Sequence, residues 1–270
     1  MEEKINKLEL VSNNIRKKII EMIYNAGSGH PGGSLSCADI LTVIYKYAMN
    51  LNENKNGDRI DKFVMSKGHA APAYYAILSE CGFIPEEDLN TLRKYNSYLE
   101  GHPSNKINGV DVSSGSLGQG LSIANGMALS KKISNEDGMV YCLLGDGELQ
   151  EGQVWEALMS ANKYNLDNLI VVIDNNGLQI DGTNEEVKKL DNLKEKFLSF
   201  GMNVQVVDGH SIEALIKAID NAKISGKPNC IIAKTVKGKG VSFMENQVSW
   251  HGRGIKEEEY NLAIKELSRG

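Results

Sequence analysis

Apolar residues at Ile5, Leu8, Ile15, Ile19, Ile20 and Ile23 recur at the spacing of one helical face, and the pattern stops at Asn25-Ala26-Gly27-Ser28-Gly29. The chain therefore opens with a helix that runs into a glycine loop. Beyond it the pattern predicts a helix over 36–49, a short strand at 62–65 and a helix over 70–81. Pro85-Glu86-Glu87-Asp88 starts another short helix, because proline and acids suit a first turn. A loop over 101–120 leads to a helix over 121–133, whose Ala124, Gly126 and Ala128 permit close packing.

From there strand and helix alternate. Apolar runs at 140–144, 169–173, 203–207 and 230–235 are separated by helical patterns at 153–164, 187–200 and 212–224. Continuous apolar strands joined by helices of this length imply an α/β fold: a mostly parallel sheet flanked by helices on both faces. The 270 residues suit one large domain over 1–270 with an N-terminal helical segment.

Two of the predicted strands end in polar turns. Gly145-Asp146-Gly147 follows one, and Asn175-Asn176-Gly177 follows the next. Ligands of an open parallel sheet collect outside the carboxyl ends of its strands, and a right-handed crossover returns the chain to a nearby strand in the same direction. Asp146 and Asn176 are therefore expected at one edge, sharing one ligand. A carboxylate from Asp146, an amide oxygen from Asn176 and a backbone carbonyl, most simply that of Leu178, form a hard donor set that suits Mg2+ or Ca2+ rather than zinc. Phosphate oxygens commonly complete such a shell, which suggests a diphosphate. Gly145 and Gly147 let backbone approach it, and their amides can hold a second phosphate oxygen. Either turn alone reads better as an ordinary βα turn capped by Asp or Asn; the pair at this spacing favours the shared ligand.

Charge and cysteine content narrow the setting. A net charge of -5, with charges mixed along the chain, gives no reason to expect a nucleic-acid or anionic-membrane surface. Cys37, Cys81, Cys142 and Cys230 lack the rhythm of a zinc site or a disulfide framework, so free thiols in a reducing compartment are expected. The charged N-terminus has no signal-peptide core, and the longest aliphatic run cannot span a bilayer; a cytoplasmic location follows as an expectation.

All five histidines touch a glycine: Gly29-His30, Gly68-His69, Gly101-His102, Gly209-His210 and His251-Gly252. None lies in an apolar stripe, and loops on a rigid sheet are where catalytic groups are commonly held. His210, in a strand-ending turn, reads as readily as a structural residue. "GSGHPG" formally satisfies a dinucleotide fingerprint, but a helix precedes it and Pro31 interrupts it.

GDGELQEG, followed after about thirty residues by an Asn-Asn pair, resembles the thiamine-diphosphate motif and, more narrowly, that of the transketolase family. GSGHPGGSLS, SKGHA, EGHPS, GSLGQGLSIANGMAL, NNGLQIDG and KTVKGKGVSFMENQVSWHG extend the resemblance over nearly the whole chain. It implies a thiamine-diphosphate-binding fold that transfers a two-carbon ketol unit from a ketose phosphate to an aldose phosphate, with a divalent metal. It implies that His30, His69, His102 and His251 line the funnel to the thiazolium. It further implies that His69, Gly115, Ser116, Leu117, Gly145, Asp146, Gly147, Glu151, Asn176 and Lys237 surround the cofactor. Glu151 and Glu156 resemble interfacial glutamates that relay protons between two active sites. Ser116 stands where the family usually has proline, which bears on loop rigidity.

A full transketolase is longer, and its pyrimidine-binding and C-terminal domains are expected to be absent here. The expectation is an N-terminal subunit of a split transketolase, a homodimer within an α2β2 complex whose second chain supplies the pyrimidine-binding part. Alternatives are another thiamine enzyme, such as a deoxyxylulose-phosphate synthase or a 2-oxo-acid dehydrogenase component, a non-catalytic regulatory subunit that keeps the diphosphate site, and a dinucleotide-binding oxidoreductase. Dense histidines suit polyol recognition better than an apolar oxo-acid pocket.

Overall fold

The structure, a computed structural model, describes residues 2–55 and 57–269; the outermost positions of the expected domain, 1 and 270, lie outside them. The first helix, α1, spans Glu2–Ala26 and buries Leu8, Ile15, Ile19, Ile20 and Ile23 on the face read from the sequence. After the glycine loop, α2 (Pro31–Ser36) begins at a proline, whose fixed φ suits a first turn. α3 (Ala38–Val43) follows and widens into a π turn over Ile44–Ala48. The single helix expected over 36–49 is thus two short helices and a wide turn, because Pro31 starts helical structure early and Cys37 breaks it at φ -97°, ψ 7°.

β1 (Lys62–Met65) leads to α4 (Ala71–Glu80), and the expected helix after Pro85 is a 3-10 turn over Glu86–Thr91. Then come α5 (Gln119–Ser134), β2 (Val140–Gly145), α6 (Gly152–Lys163) and β3 (Leu169–Asn175). Two-residue strands β4 (Leu178–Gln179) and β5 (Gly182–Thr183) pair as a small antiparallel clasp, with Leu178 opposite Thr183. The helix expected over 187–200 is instead α7 (Asn184–Val187) and α8 (Leu193–Ser199). Asp191 takes a left-handed φ of 52° and Asn192 caps α8 by accepting from the Glu195 amide, so the chain restarts rather than continues. β6 (Asn203–Asp208), α9 (Ile212–Lys223), β7 (Asn229–Lys234) and α10 (Glu257–Leu267), a helix the sequence pattern did not reveal, complete the order.

The five long strands form one parallel sheet in the order β1-β2-β3-β7-β6. Side chains alternate across a strand, so each strand feeds two cores. Phe63, Leu143, Val172 and Ile231 pack with α1, α3, α4, α9 and α10, while Val64, Cys142, Val171 and Ile232 pack with α5, α6 and α8. Truncating a fully buried contributor such as Ile19 to Ala costs about 2–5 kcal/mol. All four cysteines are free thiols, and among the described residues no helix is long and apolar enough to cross a membrane.

Candidate active site

β2 and β3 are neighbours, with Gly145 opposite Asp174, so their carboxyl ends deliver the two polar turns to one place. The Asp146 carboxylate is the junction. Its Oδ1 accepts from the Gly147 amide at 2.8 Å, and its Oδ2 accepts from the Gly177 amide at 2.6 Å and from Asn175 Nδ2 at 3.0 Å. Gly177 can turn its N–H back toward Asp146 because it adopts φ 78°, a conformation glycine reaches without a steric penalty. Next to it, Asn176 Oδ1 accepts from the Leu178 amide at 3.1 Å, an Asx turn that fixes the carboxamide. Asp146, Asn176 and Leu178 line one cavity of about 290 Å³.

Asp146 is almost fully buried, and burial pushes its pKa up despite the amide donors, with the nearby Asp174 charge adding to the rise. Among the described residues no ion pair reaches this carboxylate; the Lys67 and Lys237 charges act on it from a distance, and a contacting countercharge is missing. A divalent cation would supply it, with the neutral oxygens of Asn176 and Leu178 beside it, and one anionic and two neutral oxygens match the taste of Mg2+ or Ca2+. Among the described residues no group of three His, Cys, Asp or Glu side chains is placed to hold a metal. Any cation site here therefore depends on carboxamide and carbonyl donors.

Two buried lysines serve the cavity differently. Lys67, at the end of β1, is ion-paired with Asp174 and donates to the Gly33 carbonyl at 2.7 Å. Burial works against its charge, but the Asp174 carboxylate more than restores it and its pKa is raised. Lys237 has no such partner; its Nζ donates to the Leu178 carbonyl at 3.3 Å and to His251 Nδ1 at 2.8 Å. Burial and the Lys67 charge lower its pKa to about 8. An anion entering the cavity would meet an ammonium short of negative charge.

Two imidazoles, His69 and His251, line the cavity, and a third, His30, packs against both outside the lining. The ring centroids of His30 and His69 lie 5.2 Å apart, those of His69 and His251 5.3 Å, and those of His30 and His251 5.7 Å. Burial lowers all three pKa values, that of His30 to about 4 and that of His251 to about 3, so the rings are uncharged near pH 7 and can accept or relay protons. His30 Nδ1 is buried without a hydrogen-bond partner, an unmet capacity that a hydroxyl-bearing substrate could fill. His102 packs against Gly115, where an added Cβ would lie 3.2 Å from its ring, and its pKa is lowered by burial and by Arg93. Arg93 also lowers His30, so one guanidinium acts on both rings.

The cavity also takes in His69, Leu117, Gly145, Gly147, Glu151 and Lys237 from the residues expected around a cofactor. Gly115 and Ser116 border a separate shallow hollow, and Glu156 is exposed further along α6, away from the cavity lining. His210 stands apart from the other histidines, bonded to Asp39 and to the Val236 amide. Sequence reasoning missed Lys67, Asp174 and Glu148. Glu148 is buried, accepts from Ser66 and from the amides of Gly118 at 2.9 Å and Gly145 at 3.1 Å, and so ties three loops together. A second acid two residues after Asp146 was the available signal for it; the Lys67–Asp174 pair, 107 positions apart, left none.

A buried acid at paired strand ends, hard neutral oxygens beside it, and a buried ammonium bonded to neutral partners beside a histidine cluster characterise an α/β domain that binds a phosphorylated cofactor. The thiamine diphosphate binding domain of transketolase matches residues 8–268, and the chain belongs to that family. It is 41% identical to an apulose-4-phosphate transketolase subunit of Phocaeicola vulgatus, over 98% of this chain and 95% of that protein. It is 40% identical to a 6-deoxy-6-sulfo-D-fructose transketolase subunit of a Clostridium species, over 100% of this chain and 99% of that protein. The crystal structure of Campylobacter jejuni transketolase superposes with a TM-score of 0.92 at 36% identity, covering 98% of this chain and 43% of that one. The chain spans less than half the length of the human and Campylobacter transketolases it matches.

Proposed function

We propose that this chain is the N-terminal, diphosphate-binding subunit of a split transketolase, active with a second chain that supplies the pyrimidine-binding part. The observation that carries this reading is the convergence of Asp146, Asn176 and the Leu178 carbonyl in one cavity with Lys237 and the histidine cluster. Relatives of matching length that are named as transketolase subunits support it. Asp146, Asn176 and Leu178 hold Mg2+ or Ca2+. Lys237 and His69 would take the diphosphate oxygens; the Gly145 and Gly147 amides are already given to Glu148 and Asp146, so those two glycines serve close approach of the backbone, and Leu117 would line the cofactor side with Gly115 and Ser116 in the same loop.

Bound thiamine diphosphate supplies the nucleophilic carbon and the electron sink for two-carbon transfer. The protein binds, orients and moves protons. His30, His102 and His251, all uncharged near neutral pH, hydrogen-bond the sugar hydroxyls and exchange protons with them. Glu151, at the start of α6 on the cavity edge, and Glu156, further along the exposed helix, face a second copy in an α2β2 assembly. The free thiols suit a reducing cytoplasm.

The test is to purify the native complex on a tagged copy of this chain and supply xylulose 5-phosphate with ribose 5-phosphate. Moving two carbons gives a triose phosphate and a seven-carbon ketose phosphate in equal amounts, and the chain alone is inactive. Full ketol transfer by the isolated chain refutes the split arrangement, and turnover of pyruvate instead of the ketose refutes the transketolase assignment.

A further inference from the structure

Lys237 is carried by residues 235–240, which belong to no helix or strand, yet its side chain is buried. Side chains from distant elements hold this segment. Thr235 Oγ1 donates to Asp174 beneath it, and Arg16 Nε, from α1, donates to the Lys239 carbonyl at 3.1 Å. Between these anchors the Val236 amide donates to His210 Nε2 at 2.8 Å, one residue before Lys237.

His210 and Arg16 converge on one carboxylate. Asp39 Oδ2 accepts from His210 Nδ1 at 2.7 Å and from Arg16 Nη2 at 2.6 Å, while Oδ1 accepts from Ser12 and from Arg16 Nη1 at 3.1 Å. Since Nε2 accepts from a backbone N–H, the ring proton sits on Nδ1 and is donated to Asp39, so the tautomer is fixed by its partners. The turn before it is built for this reach. An added Cβ at Gly209 would lie 3.0 Å from the Lys234 carbonyl oxygen and 2.5 Å from Thr235 Cγ2, and Ser211 caps α9 by accepting from the Ala214 amide. The Asp208-Gly209-His210-Ser211 turn therefore presses against the segment that leads to Lys237.

We propose that His210 is a positioning residue of the cofactor site: by bridging Asp39 to the Val236 amide, it fixes the backbone that aims Lys237 at the diphosphate. This rests on the reading that Lys237 takes a phosphate oxygen. Among the described residues the His210 ring hydrogen-bonds to Asp39 and the Val236 amide and does not line the cavity, so its loss frees the amide next to Lys237 rather than removing a group from the cavity.

The test is a double-mutant cycle on thiamine diphosphate affinity, measured by calorimetry with excess Mg2+ in the complex purified on a tagged copy of this chain. Lys237→Met weakens binding. His210→Ala weakens it about 10-fold, the scale of a lost supporting hydrogen bond behind a ligand contact, and adds nothing in the Lys237→Met background. If Lys237→Met has no effect, the phosphate reading fails and the proposal falls with it. If Lys237→Met weakens binding but His210→Ala costs the same in both backgrounds, the positioning role alone is overturned. Should His210→Ala fail to fold, His210→Gln and His210→Asn decide. Gln can reach the Val236 amide as an acceptor and Asn cannot, so Gln binds the cofactor more tightly; equal or reversed affinities overturn the proposal.

Discussion

Asp146 and Asp174 are buried carboxylates at the ends of adjacent strands, and they differ in what surrounds them. Asp174 has its own cation: Lys67 pairs with it and Ser36 and Thr235 donate to it, so its pKa is lowered although it is completely buried. Asp146 receives amide hydrogen bonds and no cation, and burial leaves its pKa raised. Two carboxylates of the same type thus divide the labour. The one with a built-in counter-ion locks β1, α2, β3 and the segment after β7 together, while the one without is the carboxylate proposed to hold the divalent cation.

Stability separates the two most strongly. Asp174→Asn leaves Lys67 buried and unpaired and is expected to cost about 3–5 kcal/mol in urea unfolding. Asp146→Asn removes a charge that burial already disfavours but turns an N–H2 group toward the donors that both oxygens accept from, and costs about 1–3 kcal/mol. Comparable losses at both positions would erase the distinction. Lys237 and Lys67 extend the comparison to cations. With Lys237 on a phosphate oxygen as proposed, Lys237→Met would forfeit a charged hydrogen bond, about 1.5–3 kcal/mol, and so weaken cofactor binding about 10- to 100-fold with little change in unfolding midpoint. An unfolding loss as large as that at Asp174 would make Lys237 a second structural ion instead.

The uncharged histidines give a pH signature. His30 is held at about 4 in the fold by burial and neighbouring cations, against about 6.5 when exposed. Between those values the unfolded chain binds a proton that the folded chain refuses, so stability is full above about pH 6.5 and is lost as the pH falls toward 4. His30→Gln should flatten that slope in unfolding measured between pH 4 and 6.5. An unchanged slope would show that His30 protonates freely in the fold. The smallest effect belongs to Glu156, exposed on α6: Glu156→Gln leaves stability within about 0.5 kcal/mol and acts only on turnover of the assembled complex. A loss of cofactor affinity from Glu156→Gln would mean that α6 reaches the cavity in solution.

The parallel sheet was legible because its strands are continuous apolar runs between helical patterns, and the two turns were legible because they recur at the ends of successive strands, where either alone reads as an ordinary capped turn. Breaks inside helices were not. The run over 187–200 looks periodic, yet Asp191-Asn192 ends one helix and caps the next, a capping signal that periodicity overrode. α10 was missed although three glutamates open it and Ala263 and Leu267 mark its buried face. Within the site, ligand-type residues could be named from the turns, but their satisfaction could not. That Asp174 finds Lys67 while Asp146 finds only amides is a property of tertiary neighbours, as is the pairing of His210 with Asp39 across 171 positions.

The difference between the two carboxylates is tested most directly by calorimetric titration of thiamine diphosphate into the complex, with and without Mg2+, in the parent and in Asp146→Asn. Binding should require the metal in the parent, and Asp146→Asn should weaken metal-dependent binding by about 100-fold or more, since losing a direct ligand exceeds the 10–100-fold of an outer-shell loss. Equal affinity with the metal chelated, or in Asp146→Asn, would contradict the account.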